Sequence, residues 1–259
     1  MIPYPDIDPV IFRIGPLALR WYGLAYAAGF AAAYLLAVRR IKRLLPDWTE
    51  QDVSRLVLHL VVGVIVGARL GYAVFYDPAW FASHPWAVFA VWKGGMSFHG
   101  GLIGVILGML VFSRRAGKSL LRTTDLVAPL APVGLFFGRM ANFVNAELWG
   151  RPTDLPWGMA FPGAGPVPRH PSQLYEALLE GAVLFAVLWI YSSRLRAPGK
   201  VSGLFLVLYA VFRFAVEFTR QPDPQLGFIA FGWLTMGQLL CAPMVLLGGY
   251  LLMTARRRT

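Results

Sequence analysis

Charge is scarce in this chain, and cysteine is nearly missing. Asp, Glu, Lys and Arg make up 14% of the 259 residues, while 57% are hydrophobic. A soluble domain carries about 25% charged residues, so the shortage excludes that class and points to a membrane protein. The single cysteine, Cys241, sits in the last apolar stretch. No disulfide can therefore close within the chain, and no cysteine pair is offered to a metal. Met1 to Pro16 has acids and prolines where a signal peptide would have a basic region followed by an apolar one. No cleaved targeting segment is expected, and the first spanning helix should direct insertion. An internal repeat of the kind that marks inverted-repeat transporters is also missing.

The charge that is present leans to one sign, with 24 Lys and Arg against 13 Asp and Glu, a formal net charge of +11. Such an excess suits nucleic acid, but its distribution argues for no nucleic-acid partner. Fourteen basic residues fall in four clusters: Arg39, Arg40, Lys42 and Arg43; Arg114, Arg115, Lys118 and Arg122; Arg194, Arg196 and Lys200; Arg256, Arg257 and Arg258. Each cluster lies between apolar stretches or after the last one, as the positive-inside rule expects of cytoplasmic loops. At about 20 residues per crossing, spans are expected near 17–37, 54–76, 86–112, 124–143, 173–192, 202–219 and 232–254. The odd number puts the chain ends on opposite sides, and alternation then places every basic cluster in the cytoplasm.

The fold class is accordingly an all-α polytopic membrane protein of about seven transmembrane helices, with a periplasmic N-terminus and a cytoplasmic C-terminus. Residues 1–259 read as a single integral membrane domain. Segments 77–85, 145–171 and 221–229 fall on the outer side. The 145–171 segment is rich in Pro and Gly and should form a small irregular periplasmic cap. Loops of that length without regular structure are often functional. The third span is interrupted by Lys93-Gly94-Gly95 and His99-Gly100-Gly101. Residues 86–98 should lie partly across the outer interface, with His99 opening a shorter helix, because non-helical backbone at depth needs protein or a water-filled cavity around it.

Polar residues inside the spans collect in three blocks: His99-Gly100-Gly101, the run from Gly138 to Glu147, and Arg213 with Glu217. An Arg at the centre of a spanning helix costs roughly 2.5–3.5 kcal/mol on insertion scales, so such residues need a compensating role. In the first block the glycines permit close backbone approach, and an imidazole beside bare helix-start amides could take a proton or bind an anion. The alternative for His99 is a packed histidine bonded to a neighbouring helix. In the second block Arg139 and Asn142 share a helical face at i and i+3, with Glu147 and Gly150 following where that helix should emerge. A guanidinium with an amide beside it suits phosphate or carboxylate, and the alternative is an internal ion pair of Arg139 with Glu147 or Glu217. Arg213 and Glu217 share a face at i and i+4, a spacing that by itself suits a structural pair. Arg220 stands beyond them at the outer end of the sixth span. Together these groups would make a positive pocket for a lipid phosphate. Arg69 and Asp125, each alone in an apolar setting, are expected to pair with one another. Tyr22, in Arg20-Trp21-Tyr22-Gly23, puts a polar tip at a glycine break near the outer interface.

The segments His99-Gly100-Gly101-Leu102-Ile103-Gly104, Gly138 to Gly150, His170-Pro171-Ser172-Gln173-Leu174-Tyr175-Glu176 and Arg213-Phe214-Ala215-Val216-Glu217 together resemble the bacterial prolipoprotein diacylglyceryl transferases. The resemblance runs from Arg20 to the last span and includes the long signature G-R-x-[GA]-N-F-x-N-x-E-x-x-G, with Ala141 at the position more often Gly. It implies an inner-membrane, multi-pass transferase that moves the diacylglyceryl group of phosphatidylglycerol onto the thiol of the lipobox cysteine of a preprolipoprotein. A thioether forms, and glycerol 1-phosphate leaves. Its partners would be phosphatidylglycerol, the preprolipoprotein and membrane lipids, and it would need no cofactor and no metal.

The resemblance implies catalytic roles for His99, Arg213, Glu217 and Tyr22, and substrate-binding roles for Arg139, Asn142, Glu147, Gly150, Gly100, Gly101 and Arg220. Arg69, Asp125, Tyr76, Glu176 and Tyr209 are further matches. Two other readings remain. A polytopic anion transporter would predict a repeat or a polar path continuing to the cytoplasmic side. A scaffold with only structural ion pairs would leave the glycine-flanked His99 and the polar 138–150 block without a purpose.

Overall fold

The apolar residues before Trp21 do not begin a helix. In the computed structural model, described over residues 2–5, 7–15, 17–222 and 227–255, they form short strands. Strand β1 (Ile2–Pro3) comes first, followed by β2 (Val10–Ile14) and β3 (Leu17–Arg20). Helices α1 (Trp21–Leu44), α2 (Glu50–Phe75) and α3 (Pro78–Ser83) follow, then two 3-10 turns (Pro85–Phe89 and Val91–Lys93). Next are α4 (Phe98–Arg115), α5 (Leu120–Val127), α6 (Ala131–Val144) and strand β4 (Met159–Ala160). The chain then forms α7 (Ser172–Glu176), a π-helical stretch (Ala177–Val183), α8 (Leu184–Tyr191), α9 (Lys200–Glu217) and α10 (Met236–Thr254).

Among the described residues five helical runs are long and apolar enough to cross a membrane, and a sixth results if α5 and α6, bent by 41°, count as one. The chain is thus a mostly helical, multi-pass membrane protein. One expected boundary is corrected. The first span starts at Trp21, not residue 17, because β3 pairs antiparallel with β2 around Gly15, whose φ of +59° is the left-handed geometry glycine tolerates. The helix of the third span starts at Phe98, one residue before the expected His99, and the 3-10 turns occupy the residues before it. The fourth basic cluster, Arg256 to Arg258, and residues 223–226 of the 221–229 segment lie outside the described residues.

By internal packing the chain falls into two units, one of Met1–Leu36 with Asp125–Thr259, the other of Ala37–Thr124. The second unit is built on a glycine seam. Gly63, Gly67 and Gly71 of α2 face Gly100 and Gly104 of α4, Gly108 of α4 faces the His59 backbone, and an added Cβ at each of these positions would strike the opposing backbone. Small residues at four-residue spacing let helix backbones approach closely where no hydrophobic effect drives association. Thr49 starts α2 with a reciprocal capping box to Asp52, and Ser97 starts α4 by accepting from the Gly100 amide.

The irregular 85–97 segment exposes carbonyls, most of them outside regular helical hydrogen bonds, and Arg69 donates to five of them. Its Nε donates to the Val88 carbonyl at 3.0 Å, Nη1 to Gly94 at 2.5 Å and Gly95 at 3.1 Å, and Nη2 to Ala87 at 2.6 Å and Ala90 at 3.1 Å. All five donors of the guanidinium are thereby used, so the expected Arg69–Asp125 ion pair does not form. Replacing Arg69 with Met keeps the bulk and removes all five donors, orphaning acceptors such as the Val88 and Gly95 carbonyls. It should cost on the order of 3 kcal/mol and open residues 85–97 to limited proteolysis in detergent; an unchanged cleavage pattern would refute the clamp.

In the other unit, Asp125 serves the start of α9. Its carboxylate accepts from the Gly199 and Ser202 amides at 2.8 Å each and from the Ser202 hydroxyl at 2.7 Å. Gly199, in left-handed geometry, has no side chain to cap the helix, so a carboxylate from α5 supplies the missing acceptor. Leu184 and Leu188 of α8 pack with Val201 of α9 and Ala128 in the core of this unit. Residues 145–171 contain no helix; β4 pairs parallel with β1, and Gly150 bridges Arg220.

Candidate active site

α6, α7 and α9 each bring charge to one place in the first unit. Glu176 ends α7 and is fully buried. Its Oε2 accepts from Arg139 Nε at 2.7 Å and from Arg213 Nη1 at 3.2 Å, and its Oε1 from Arg220 Nη1 at 2.5 Å. One carboxylate therefore anchors three guanidinia. Glu217 adds a second anchor, with Oε2 2.6 Å from Arg213 Nη2 and 3.4 Å from Arg220 Nε. Glu180, also fully buried, places Oε1 3.8 Å from Arg213 Nη1. Three arginines thus meet three acids, Glu176 and Glu217 closely paired and Glu180 with both carboxylate oxygens buried and not hydrogen-bonded to any described residue.

Local backbone sets this up. Glu176 immediately precedes the π-helical stretch and Glu180 lies within it, a distortion frequent at functional sites. Gly181 of that stretch leaves room for Phe136 of α6, whose Cβ would lie 2.7 Å from an added Cβ. Close approach there brings Arg139 onto Glu176.

A second chain of contacts leads away from Arg139. Its Nη1 donates to Asn142 Oδ1 at 3.3 Å, and Asn142 Nδ2 donates to Glu147 Oε2 at 3.4 Å. The Tyr22 hydroxyl stands 3.4 Å from that of Tyr26 and also interacts with the Asn142 side chain. Glu147 is exposed and flanked by Ala146 and Leu148, non-glycine residues with φ of +53° and +57°. Such backbone costs about 1–3 kcal/mol per residue and persists only when held. Here Gln173 Nε2 donates to the Glu147 carbonyl at 2.5 Å and Ser172 Oγ to the Leu148 carbonyl at 3.1 Å.

Gly150 has a packing reason. An added Cβ would lie 2.7 Å from the His170 Cβ and 2.8 Å from its carbonyl oxygen. Beside it, Arg151 donates from Nε to the Arg220 carbonyl at 2.7 Å and from Nη2 to the Glu217 carbonyl at 3.2 Å, closing the end of α9. His170 lies in this corner outside the spans. Burial and the nearby Arg151 charge lower its pKa from the ordinary value. A neutral imidazole suits its contact, because the Tyr175 hydroxyl accepts a hydrogen bond from the Trp157 indole N–H at 2.7 Å and can donate its own to His170 Nδ1 at 3.3 Å.

The expected site residues Tyr22, Arg139, Asn142, Glu147, Gly150, Arg213, Glu217 and Arg220 therefore all belong to the first unit, and contacts link them. The i, i+3 pairing of Arg139 with Asn142 and the i, i+4 pairing of Arg213 with Glu217 are as expected. Arg139 does form an internal ion pair, but with Glu176 instead of Glu147 or Glu217. His99, Gly100 and Gly101 belong to the other unit. His99 is exposed near the start of α4 with its ring edge-on to Phe98 at 5.6 Å. The amides near it are not bare: Ser97 accepts that of Gly100 on its hydroxyl at 3.2 Å and that of Gly101 on its carbonyl at 2.9 Å. Gly100 and Gly101 serve the seam with α2.

Sequence reasoning gave Glu176 only as a further family match and missed Glu180, Thr235 and Gln173. The available signal was Glu176 and Glu180 at i and i+4 within one apolar span.

Residues 9–254 match the family model for prolipoprotein diacylglyceryl transferase. A phosphatidylglycerol–prolipoprotein diacylglyceryl transferase of Nitratidesulfovibrio vulgaris strain Miyazaki F is 58% identical over 256 residues, covering 99% of this chain and 97% of that protein. One of the same name from Coxiella burnetii is 57% identical over 257 residues (99% and 98%), and one from Pseudomonas paraeruginosa 54% over 258 residues (100% and 97%). With the signature residues of α6 and α9 gathered around one buried acid and relatives matched along almost their whole length, the chain belongs to the prolipoprotein diacylglyceryl transferase family.

Proposed function

We propose that this chain is an enzyme of the bacterial inner membrane that transfers the diacylglyceryl group of phosphatidylglycerol to the lipobox cysteine thiol of a preprolipoprotein, releasing glycerol 1-phosphate. The observation that supports this most directly is the convergence of Arg139, Arg213 and Arg220 on buried Glu176 within a membrane protein. In the reaction the thiol S–H bond breaks and an S–C bond forms at the glycerol carbon. The C–O bond to phosphate breaks, and its electron pair stays on the departing phosphate.

Negative charge grows on that phosphate, so donors aimed at it stabilise the transition state. Losing one such donor typically costs on the order of 10²–10³ in rate. Converting a thiol of pKa about 8.5 fully to thiolate at pH 7 gains roughly 30-fold at most. The arginines therefore matter more than the base. Arg139, helped by Asn142, holds the lipid phosphate, and Arg213, oriented by Glu217, stabilises the leaving group. Arg220 adds positive charge beside them. Tyr22 and Glu147 adjoin Asn142 and bear on substrate through it. His99, an exposed imidazole, takes the thiol proton or positions the sulfur.

The chain crosses the membrane seven times, N-terminus outside and C-terminus in the cytoplasm, with the non-helical 145–171 segment as a periplasmic cap. This reading adds α9, an 18-residue helix with charges at Lys200, Arg213 and Glu217, to the apolar runs. It also leaves all the basic clusters on one side.

Purified protein incubated with labelled phosphatidylglycerol and a lipobox peptide should yield peptide carrying thioether-linked diacylglycerol. No label, alongside an active control enzyme, would overturn the reading. The nucleophile belongs to the substrate, so the buried Cys241, whose Sγ donates to the Gly237 carbonyl at 3.2 Å, takes no part. Cys241→Ala should transfer at the wild-type rate; inactive but folded protein would contradict this.

A further inference from the structure

Glu217 is held from two directions, and arginines, Arg213 and Arg220, supply only one of them. It ends α9 almost fully buried, and its Oε1 accepts the hydroxyl proton of Thr235 at 2.9 Å. Thr235 is the N-cap of α10 and is equally buried. Its Oγ1 accepts from the Gln238 amide at 3.3 Å, while the Gln238 side chain accepts from the Thr235 amide at 3.0 Å. That capping box leaves the hydroxyl hydrogen one direction to point, toward Glu217. Two residues on, Gly237 lies flat beneath the same carboxylate. An added Cβ there would sit 2.9 Å from its carbon and Oε1 and 3.0 Å from Oε2. A 19-residue helix thus directs its positive end at Glu217 and keeps the space at 237 empty for it.

We propose that Thr235 and Gly237 are positioning residues for transfer: the first turn of α10 seats the Glu217 carboxylate, which in turn fixes the Arg213 guanidinium against the departing phosphate. This rests on the role given to Arg213 above. A carboxylate free to rotate could still neutralise Arg213 but would not hold its Nη2 at the 2.6 Å contact. The seat therefore acts on the transition state and not on lipid binding, so its loss lowers kcat and leaves KM for phosphatidylglycerol unchanged.

Three variants at one position separate the roles of the hydroxyl. Thr235→Ser keeps cap and donor and should transfer like wild type. Thr235→Val loses both and should lower kcat by about tenfold or more, the worth of a hydrogen bond to a charged group. Thr235→Asp keeps a good N-cap but buries a second carboxylate against Glu217; this like-charge pair should lower the unfolding temperature and cost at least as much kcat as Thr235→Val. Gly237→Ala should give the same kcat loss. In a Glu217→Gln background, Thr235→Val should add nothing further. The proposal falls if Thr235→Val or Thr235→Asp keeps wild-type kcat, if Thr235→Ser is impaired as much as Thr235→Val, or if the loss adds in full to that of Glu217→Gln. Should wild type itself transfer no lipid, or Arg213→Lys be fully active, the reading of Arg213 fails instead.

Discussion

Glu176→Gln should sharply reduce diacylglyceryl transfer and at the same time lower the unfolding temperature of the detergent-solubilised protein. The substitution preserves shape and removes one charge. Glu176 accepts from Arg139, Arg213 and Arg220 and is completely buried. With Gln in its place, three guanidinia would face Glu217 and Glu180 alone, and an amide nitrogen would point at donors. Breaking a buried ion pair by removing one partner costs about 3–5 kcal/mol, and here three partners lose it together. The rate should fall by on the order of 10²–10³, as when a preorganised donor is lost, because the common anchor of all three arginines has gone. Glu180→Gln is the control, since its only arginine within ion-pair range among the described residues is Arg213 at 3.8 Å. It should be the milder variant in both measurements. Near-normal transfer by Glu176→Gln in the lipobox-peptide assay would remove Glu176 from the centre of the site.

How far the sequence revealed this site depends on whether a partner lay nearby along the helix. Arg139 with Asn142, and Arg213 with Glu217, are local pairs fixed by helical spacing, so their contacts were legible before any tertiary structure. Glu176 was legible only as an acid in an apolar span, because its three partners come from α6, from α9 and from beyond the end of α9. Spacing carries no information about such contacts. Arg69 and Asp125 show the opposite error. Two lone opposite charges in apolar spans invite pairing with each other, yet each went to orphaned backbone. Arg69 satisfies carbonyls of the non-helical 85–97 segment, and Asp125 satisfies amides at the start of α9. At membrane depth, unsatisfied backbone competes for a buried charged side chain as an opposite charge does. The N-terminal strands were missed for a related reason. Hydropathy counted Leu17 to Arg20 toward the first span, whereas Gly15 allowed the chain to turn and spend those residues on pairing with β2.

Arg139→Lys should reduce transfer by on the order of 10²–10³ while leaving the fold nearly intact, the largest kinetic loss expected from a charge-conserving change. Among the three arginines, Arg139 has the most accessible side chain, 20% exposed against 16% for Arg213 and 12% for Arg220. It is also the least committed. Nε is taken by Glu176 and Nη1 leans on Asn142, whereas both terminal nitrogens of Arg213 already face acids. A guanidinium so placed can keep its inner edge on Glu176 while its outer edge meets the oxygens of a phosphodiester. An ammonium is a single point of charge, and it can sit on Glu176 or on the phosphate but cannot span both. Since Lys would still neutralise Glu176, the unfolding temperature should fall far less than in Glu176→Gln, and the rate loss can be assigned to the phosphate. If Arg139 has the proposed phosphate role, kinetics with phosphatidylglycerol varied should show KM rising and kcat falling together, because the same donors would then serve the ground-state phosphate and its more negative transition state. A Lys variant with ordinary KM and kcat would mean that Arg139 serves Glu176 alone, and the phosphate would then have to be sought at Arg220.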